Sequence, residues 1–141
     1  MANSSGESAS TAGHESHGRI LIVDDERIVR EFFRRALLMS GFDVVVASGG
    51  AEGLKMLALD PQIRVVFLDL NMPHIDGWAF RAAQLSDPRL ASVPVVIVTG
   101  TAPNLVRDAE LRADDYLRKP IGTDRLVAVA SRYCRPRAEA A

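Results

Sequence analysis

Only one cysteine, Cys134, occurs in 141 residues. That excludes an internal disulfide and any zinc site built from several cysteines, and it suits a reducing, cytoplasmic setting. Cys134 itself is read as an incidental thiol near the C-terminus. Long apolar runs are missing too. Nothing approaches the roughly 20 apolar residues needed to span a bilayer, and Met1 to Gly18 lacks the basic and apolar regions of a signal peptide. Charge of one sign is also absent, because 17 basic and 18 acidic side chains leave a formal net charge of -1. Such a balance offers no footprint to nucleic acid or to an anionic membrane, so any anion must be met by a local arrangement of groups.

What is present is a composition of 48% hydrophobic and 25% charged residues, the profile of one soluble globular domain with a single core. Residues 1–18, rich in Ser, Gly, Ala and Asn, are expected to form a disordered tail, and His14 and His17 within it are read as solvated, with no role. The globular unit is expected over residues 19–134, followed by a short tail at 135–141. No internal repeat and no second domain are visible.

From Arg19 onward, short apolar runs alternate with segments of helical period. Ile20-Leu21-Ile22-Val23 is followed by Val29, Phe32, Phe33, Ala36 and Leu37, the spacing of a core-facing helix, with Gly41 as its stop signal. Val44 to Ala47 leads through Ser48-Gly49-Gly50 into a helix predicted from Ala51 to Leu59, which Asp60-Pro61 ends. Val65-Val66-Phe67-Leu68 runs into Asp69 and, past a Pro- and Gly-containing loop, into a helix from Trp78 to Leu85. Val95 to Val98 ends in Thr99. A weaker helical stretch, Leu105 to Arg112, precedes a fifth strand at Tyr116 to Arg118, and a last helix has Thr123 as its expected N-cap and carries Leu126, Val127, Val129, Ala130 and Tyr133. The pattern is (βα)₅. Strands apolar throughout are covered on both faces, so the sheet is expected to be parallel and sandwiched between helices in an α/β doubly wound fold.

In such sheets function collects beyond the carboxyl ends of the strands. Asp24 and Asp25 follow the first strand, Asp69 the third, Thr99 the fourth and Lys119 the fifth. Three crowded carboxylates raise one another's pKa values unless a divalent cation sits among them. Oxygen ligands in this number favour a hard ion such as Mg²⁺ (or Mn²⁺), which also accepts phosphate oxygens. Asp69, at the lip of the central strand, can then be a carboxylate nucleophile that becomes an aspartyl phosphate. Lys119 would neutralise charge on the phosphoryl oxygens, Thr99 would donate a hydrogen bond to one of them, and Gly100 leaves access open. Taken singly, each has a plainer reading: an Asp pair after a strand favoured by a helix dipole, or a Lys-Pro that is merely loop.

Taken together, Ile20 to Asp25, Phe67-Leu68-Asp69-Leu70-Asn71-Met72-Pro73 with Gly77, Val95 to Thr99, and Asp114-Asp115-Tyr116-Leu117-Arg118-Lys119-Pro120 resemble the receiver domain of two-component response regulators, over about Arg19 to Tyr133. The resemblance implies a flavodoxin-like, five-stranded sheet in order 2-1-3-4-5 and Asp69 as phosphoacceptor. It implies Mg²⁺ held by Asp25, Asp69 and the backbone carbonyl of Asn71, with Asp24 assisting, and a cis Lys119-Pro120 bond. A switch is implied as well: phosphate draws Thr99 toward it, Tyr116 swings inward to fill the space, and the surface of the last helices changes. Asn71 and Thr101 lie where relatives tune the lifetime of the aspartyl phosphate. The partners implied are a histidine kinase or histidine phosphotransfer protein and a downstream protein of unknown identity, with a homodimer left open.

Departures from the pattern concentrate in one segment. Thr99 to Lys119 spans 20 positions, about two fewer than the resemblance leads one to expect, so the fourth helix should be short, with Pro103 constraining its start. Arg112 stands where many relatives have Gly, and Ile121 where Phe is common; neither touches the phosphate site. Two alternatives stay open. A phosphatase of the haloacid dehalogenase kind also places a nucleophilic Asp after an apolar strand, but on the first strand and with a second Asp two positions on. A receiver cut from a longer hybrid kinase or regulator is the other; Met1 and the tail-like ends favour a stand-alone chain that signals by protein contact and does not bind DNA.

Overall fold

The computed structural model describes residues 17–102 and 104–137; His14 and Pro103, and most of the expected tails, lie outside them. Five strands are present: β1 (Arg19–Val23), β2 (Asp43–Ala47), β3 (Ile63–Leu68), β4 (Val95–Thr99) and β5 (Asp115–Arg118). They pair in parallel in the order β2-β1-β3-β4-β5, the sheet order that the sequence motifs implied. The helices between and after them are α1 (Arg27–Met39), α2 (Gly50–Leu59), α3 (Gly77–Ser86), α4 (Leu105–Ala109) and α5 (Thr123–Ala130).

The unbroken apolar runs are explained by two core layers. Side chains alternate along a strand, so Ile20 and Ile22 enter the layer under α1 and α5, with Phe33, Leu37, Leu126 and Val129. Leu21 and Val23 enter the layer under α2 and α3, with Leu57, Phe80 and Leu111. These four apolar β1 residues are 0–1% exposed, and each such buried Leu, Ile, Val or Phe stabilises the fold by roughly 1.5–3 kcal/mol. That double covering fixes the height of the strand ends, and hence of everything on the rim.

Helix ends follow local chemistry. Gly41, at φ 94, closes α1: its N–H donates to the Leu38 carbonyl at 2.9 Å and the Phe42 N–H to the Leu37 carbonyl at 3.1 Å, the crossed bonds of a glycine-terminated helix. Asp76 caps α3, its carboxylate accepting from the Ala79 N–H at 2.8 Å.

Four expectations need correction. The cap of α5 is Gly122, at φ -74 and ψ 157, and Thr123 makes no capping bond because it is already helical; Tyr133 lies past the end of that helix. Phe32 is 47% exposed although it falls in the apolar stripe, since its neighbour Phe33 takes the inward position one residue round the helix. The fourth helix ends at Ala109 rather than Arg112 because Arg112 turns the chain in a left-handed conformation, φ 49.

Candidate functional site at the carboxyl ends of the strands

Sheet hydrogen bonding carries past the strand ends and positions the acids. The Asp24 N–H donates to the Ala47 carbonyl at 3.2 Å, the Asp69 N–H to the Val23 carbonyl at 3.0 Å, and the Lys119 N–H to the Thr99 carbonyl at 2.9 Å. Asp69 is thereby tied to the end of β1. Beneath the loop that follows it, Gly77 approaches so closely that an added Cβ would lie 2.6 Å from Leu70 Cα and 2.7 Å from the Asp69 carbonyl oxygen; only a residue without a side chain fits there.

Asp24, Asp25 and Asp69 each offer a carboxylate oxygen within 4.8 Å of the others. Asp24 and Asp69 are 2% and 5% exposed. The compensating cation is Lys119, whose Nζ lies 2.9 Å from Asp24 Oδ2 and 3.7 Å from Asp69 Oδ1; the Lys119-Pro120 bond that follows it is cis. Its ammonium contacts two of the three rim aspartates and leaves a negative excess. Burial, then the charge of Asp24, pushes the Asp69 carboxyl up to about 6, against the pull of Lys119. Burial works against the Lys119 ammonium, yet the Asp24 hydrogen bond and the charge of Asp69 hold it above its ordinary value. A buried acid raised in this way, beside a second buried carboxylate, is the environment a divalent cation relieves. The donor set fits Mg²⁺, with Asp24, Asp25 and Asp69 as its carboxylates.

The remaining motif residues divide between this cleft and its edge. Asp25, Glu26, Asp69, Asn71, Gly100 and Lys119 line an opening of about 230 Å³. Thr99 is fully buried; its Oγ1 accepts from Asn71 Nδ2 at 3.4 Å and from the Thr101 N–H at 3.3 Å. Asn71 Nδ2 also meets Thr101 Oγ1, so the pair read as lifetime-tuning is in mutual contact at the cleft mouth. Tyr116 stands apart, half-buried, its phenol donating to Asp108 Oδ2 at 3.2 Å.

Sequence reasoning passed over several contributors. Glu26, whose Oε1 is 3.8 Å from Lys119 Nζ, was signalled by its place directly after the Asp pair. Arg81 and Gln84, 5% and 0% exposed, looked like ordinary polar helix positions. Nothing in the spacing shows that Arg81 donates to the Leu111 and Arg112 carbonyls, both at 2.7 Å.

Comparison with known proteins agrees with this geometry. Residues 20–131 match the response regulator receiver domain. The chain is 38% identical over 112 residues to the response regulator MprA of Mycobacterium ulcerans, covering 78% of this chain and 47% of that protein. It is 34% identical to the DNA-binding dual master transcriptional regulator RpaA of Synechocystis, covering 78% and 46%. Among solved structures, a response regulator receiver protein from Pseudomonas putida superposes with a TM-score of 0.76 at 25% identity, covering 82% of this chain and 97% of that one. The chain thus spans about half the length of the curated relatives it matches. Motif order, sheet order, rim geometry and these matches converge: the chain belongs to the receiver domains of two-component response regulators.

Proposed function

We propose that this chain accepts a phosphoryl group on Asp69 from a phosphohistidine of a histidine kinase or histidine phosphotransfer protein, in a Mg²⁺- or Mn²⁺-dependent reaction, and signals through a phosphorylation-dependent surface change. The observation that carries the reading is Asp69 itself: almost buried, facing the cleft, and 3.7 Å from the Lys119 ammonium. With its carboxyl at about 6, Asp69 is roughly nine-tenths ionised at neutral pH, which a nucleophile requires. An Asp69 carboxylate oxygen attacks phosphorus in line, the phosphorus–nitrogen bond breaks, and its electron pair leaves on the imidazole nitrogen. Lys119, steered by Asp24, balances the charge on the transferred oxygens, and Thr99 turns its hydroxyl toward one of them. Asp25, Asp69 and the Asn71 carbonyl, assisted by Asp24, would hold the cation, which neutralises phosphoryl charge when bound.

Residues 19–134 form the phosphoacceptor unit in this reading, and segments 1–18 and 135–141 flank it. Asn71 and Thr101 set how readily water reaches the aspartyl phosphate. The chain catalyses at most its own phosphorylation and dephosphorylation. Output passes to a downstream protein, or to a second copy of the chain, rather than to nucleic acid, since the net charge is only -1. No helix among the described residues is long and apolar enough to cross a membrane, and we place the chain in the cytoplasm. A dehalogenase-type phosphatase is disfavoured because Asp69 leaves the third strand and Asn71 replaces the second Asp. The length of the relatives favours one further reading, the same module acting within a longer regulator. Incubation with Mg²⁺ and acetyl phosphate is expected to add one acid-labile phosphate by intact mass and none to Asp69→Asn; uptake by that variant would overturn the assignment.

A further inference from the structure

The segment that must read the phosphate is held to the domain in a lopsided way. Its far end is fixed. Arg81 donates to the Leu111 and Arg112 carbonyls and to Gln84 Oε1, and Gln84 in turn donates to the Leu90 and Val93 carbonyls. The left-handed turn at Arg112 is thus tied into α3. The near end is not anchored by the core, because α4 has no buried residue and Leu105 and Val106 are 88% and 83% exposed.

A helix of five residues is far too short to persist alone, so its order depends on its ties. Two of them are local: Asn104 Oδ1 accepts from the Arg107 N–H at 3.0 Å, and Asp108 Oδ2 accepts from the Asn104 N–H at 2.8 Å. Two reach the rest of the domain. The Arg107 guanidinium lies 3.8 Å over the Trp78 ring, and Asp108 Oδ2, the same oxygen that closes the helix start, accepts the Tyr116 hydroxyl. Burial, then the Asp108 charge, holds the Tyr116 phenol above its ordinary value, so it stays a donor at physiological pH.

We propose that Asp108 is the latch of the switch: a positioning residue whose carboxylate holds Tyr116 outward and, through the same oxygen, makes the order of α4 depend on where Tyr116 stands. When Tyr116 turns inward, α4 loses its tie to β5 and loosens about the Arg81-bound turn at 111–112. Only the trigger rests on the phosphoacceptor reading; the coupling of Tyr116 to α4 does not.

Amide hydrogen exchange on the full chain tests this. Tyr116→Phe removes the tie and leaves the helix start intact, so exchange at residues 104–110 is expected to rise on the order of tenfold, the low end for losing one hydrogen bond to a charged acceptor. Asp108→Ala is expected to raise it at least as much, and the double variant no further than Asp108→Ala alone. An unchanged Tyr116→Phe, or two effects that multiply, overturns the latch. A third arm adds Mg²⁺ and beryllium fluoride, which occupies the place of an aspartyl phosphate. Wild type should then approach the Tyr116→Phe level, and Tyr116→Phe should not move. If wild type fails to respond while the variants behave as described, the phosphate trigger is wrong and the latch stands; if it responds but the variants do not differ from it beforehand, the reverse holds.

Discussion

The rim that carries Asp69 and the segment that carries α4 are built to opposite specifications. At the rim, Asp24, Asp69 and Thr99 are 2%, 5% and 0% exposed, their strands are covered on both faces, and Lys119 is held by Thr99 through the backbone and by Asp24 through the side chain. In α4 no side chain is buried, and the ties to the domain are one stacked guanidinium and one phenol. Phosphoryl transfer needs groups that do not reorganise, whereas a switch needs an element whose two arrangements differ by little free energy. On the proposed function, the contrast places rigidity where the bond would form and looseness where its consequence would be read.

The largest way to break that contrast is to disturb the rigid side. Gly77→Ala would push a methyl group against Leu70 and the Asp69 carbonyl, and is expected to cost about 2–4 kcal/mol in chemical denaturation and to weaken phosphate uptake. Equal stability would show that the Asp69 loop yields more than its contacts suggest.

A smaller effect of opposite sign is expected at Asp69. With its carboxyl raised from 3.8 to about 6, the folded chain binds the proton more tightly than the unfolded chain. Its contribution is therefore fully present below about pH 4 and is lost as pH rises through 6. In metal-free protein, Asp69→Asn should gain about 1–3 kcal/mol at pH 7, less whatever Lys119 loses, and nothing near pH 3. Thermal melts at the two pH values check this; a loss of stability at pH 7 would mean that Lys119 outweighs burial and Asp24. The smallest effect belongs to α4: Leu105→Ala, at 88% exposure, should change stability by less than about 0.5 kcal/mol.

How much of this was legible in the sequence follows the same division. The strands and the rim could be read because buried parallel strands must be apolar throughout and must end where polar chemistry begins, which marked Asp24, Asp69, Thr99 and Lys119. The short fourth helix was legible from the spacing between Thr99 and Lys119. Phe32 was misplaced because helical period does not say how wide a stripe the neighbouring elements cover. Thr123 was misplaced because cap preference does not say which residue is the last extended one. Arg81 and Asp108 were invisible because their partners are backbone carbonyls of another segment and a phenol on another strand, contacts that only the fold creates.

Trapping the acyl phosphate is the most direct test. After exposure to acetyl phosphate and Mg²⁺, borohydride reduces an aspartyl phosphate to homoserine, and peptide mass spectrometry locates it. Conversion confined to Asp69 is expected, with none in protein kept from the phosphodonor; conversion at Asp24 or Asp25, or none anywhere, would contradict the assignment of Asp69 as the place where the signal is written.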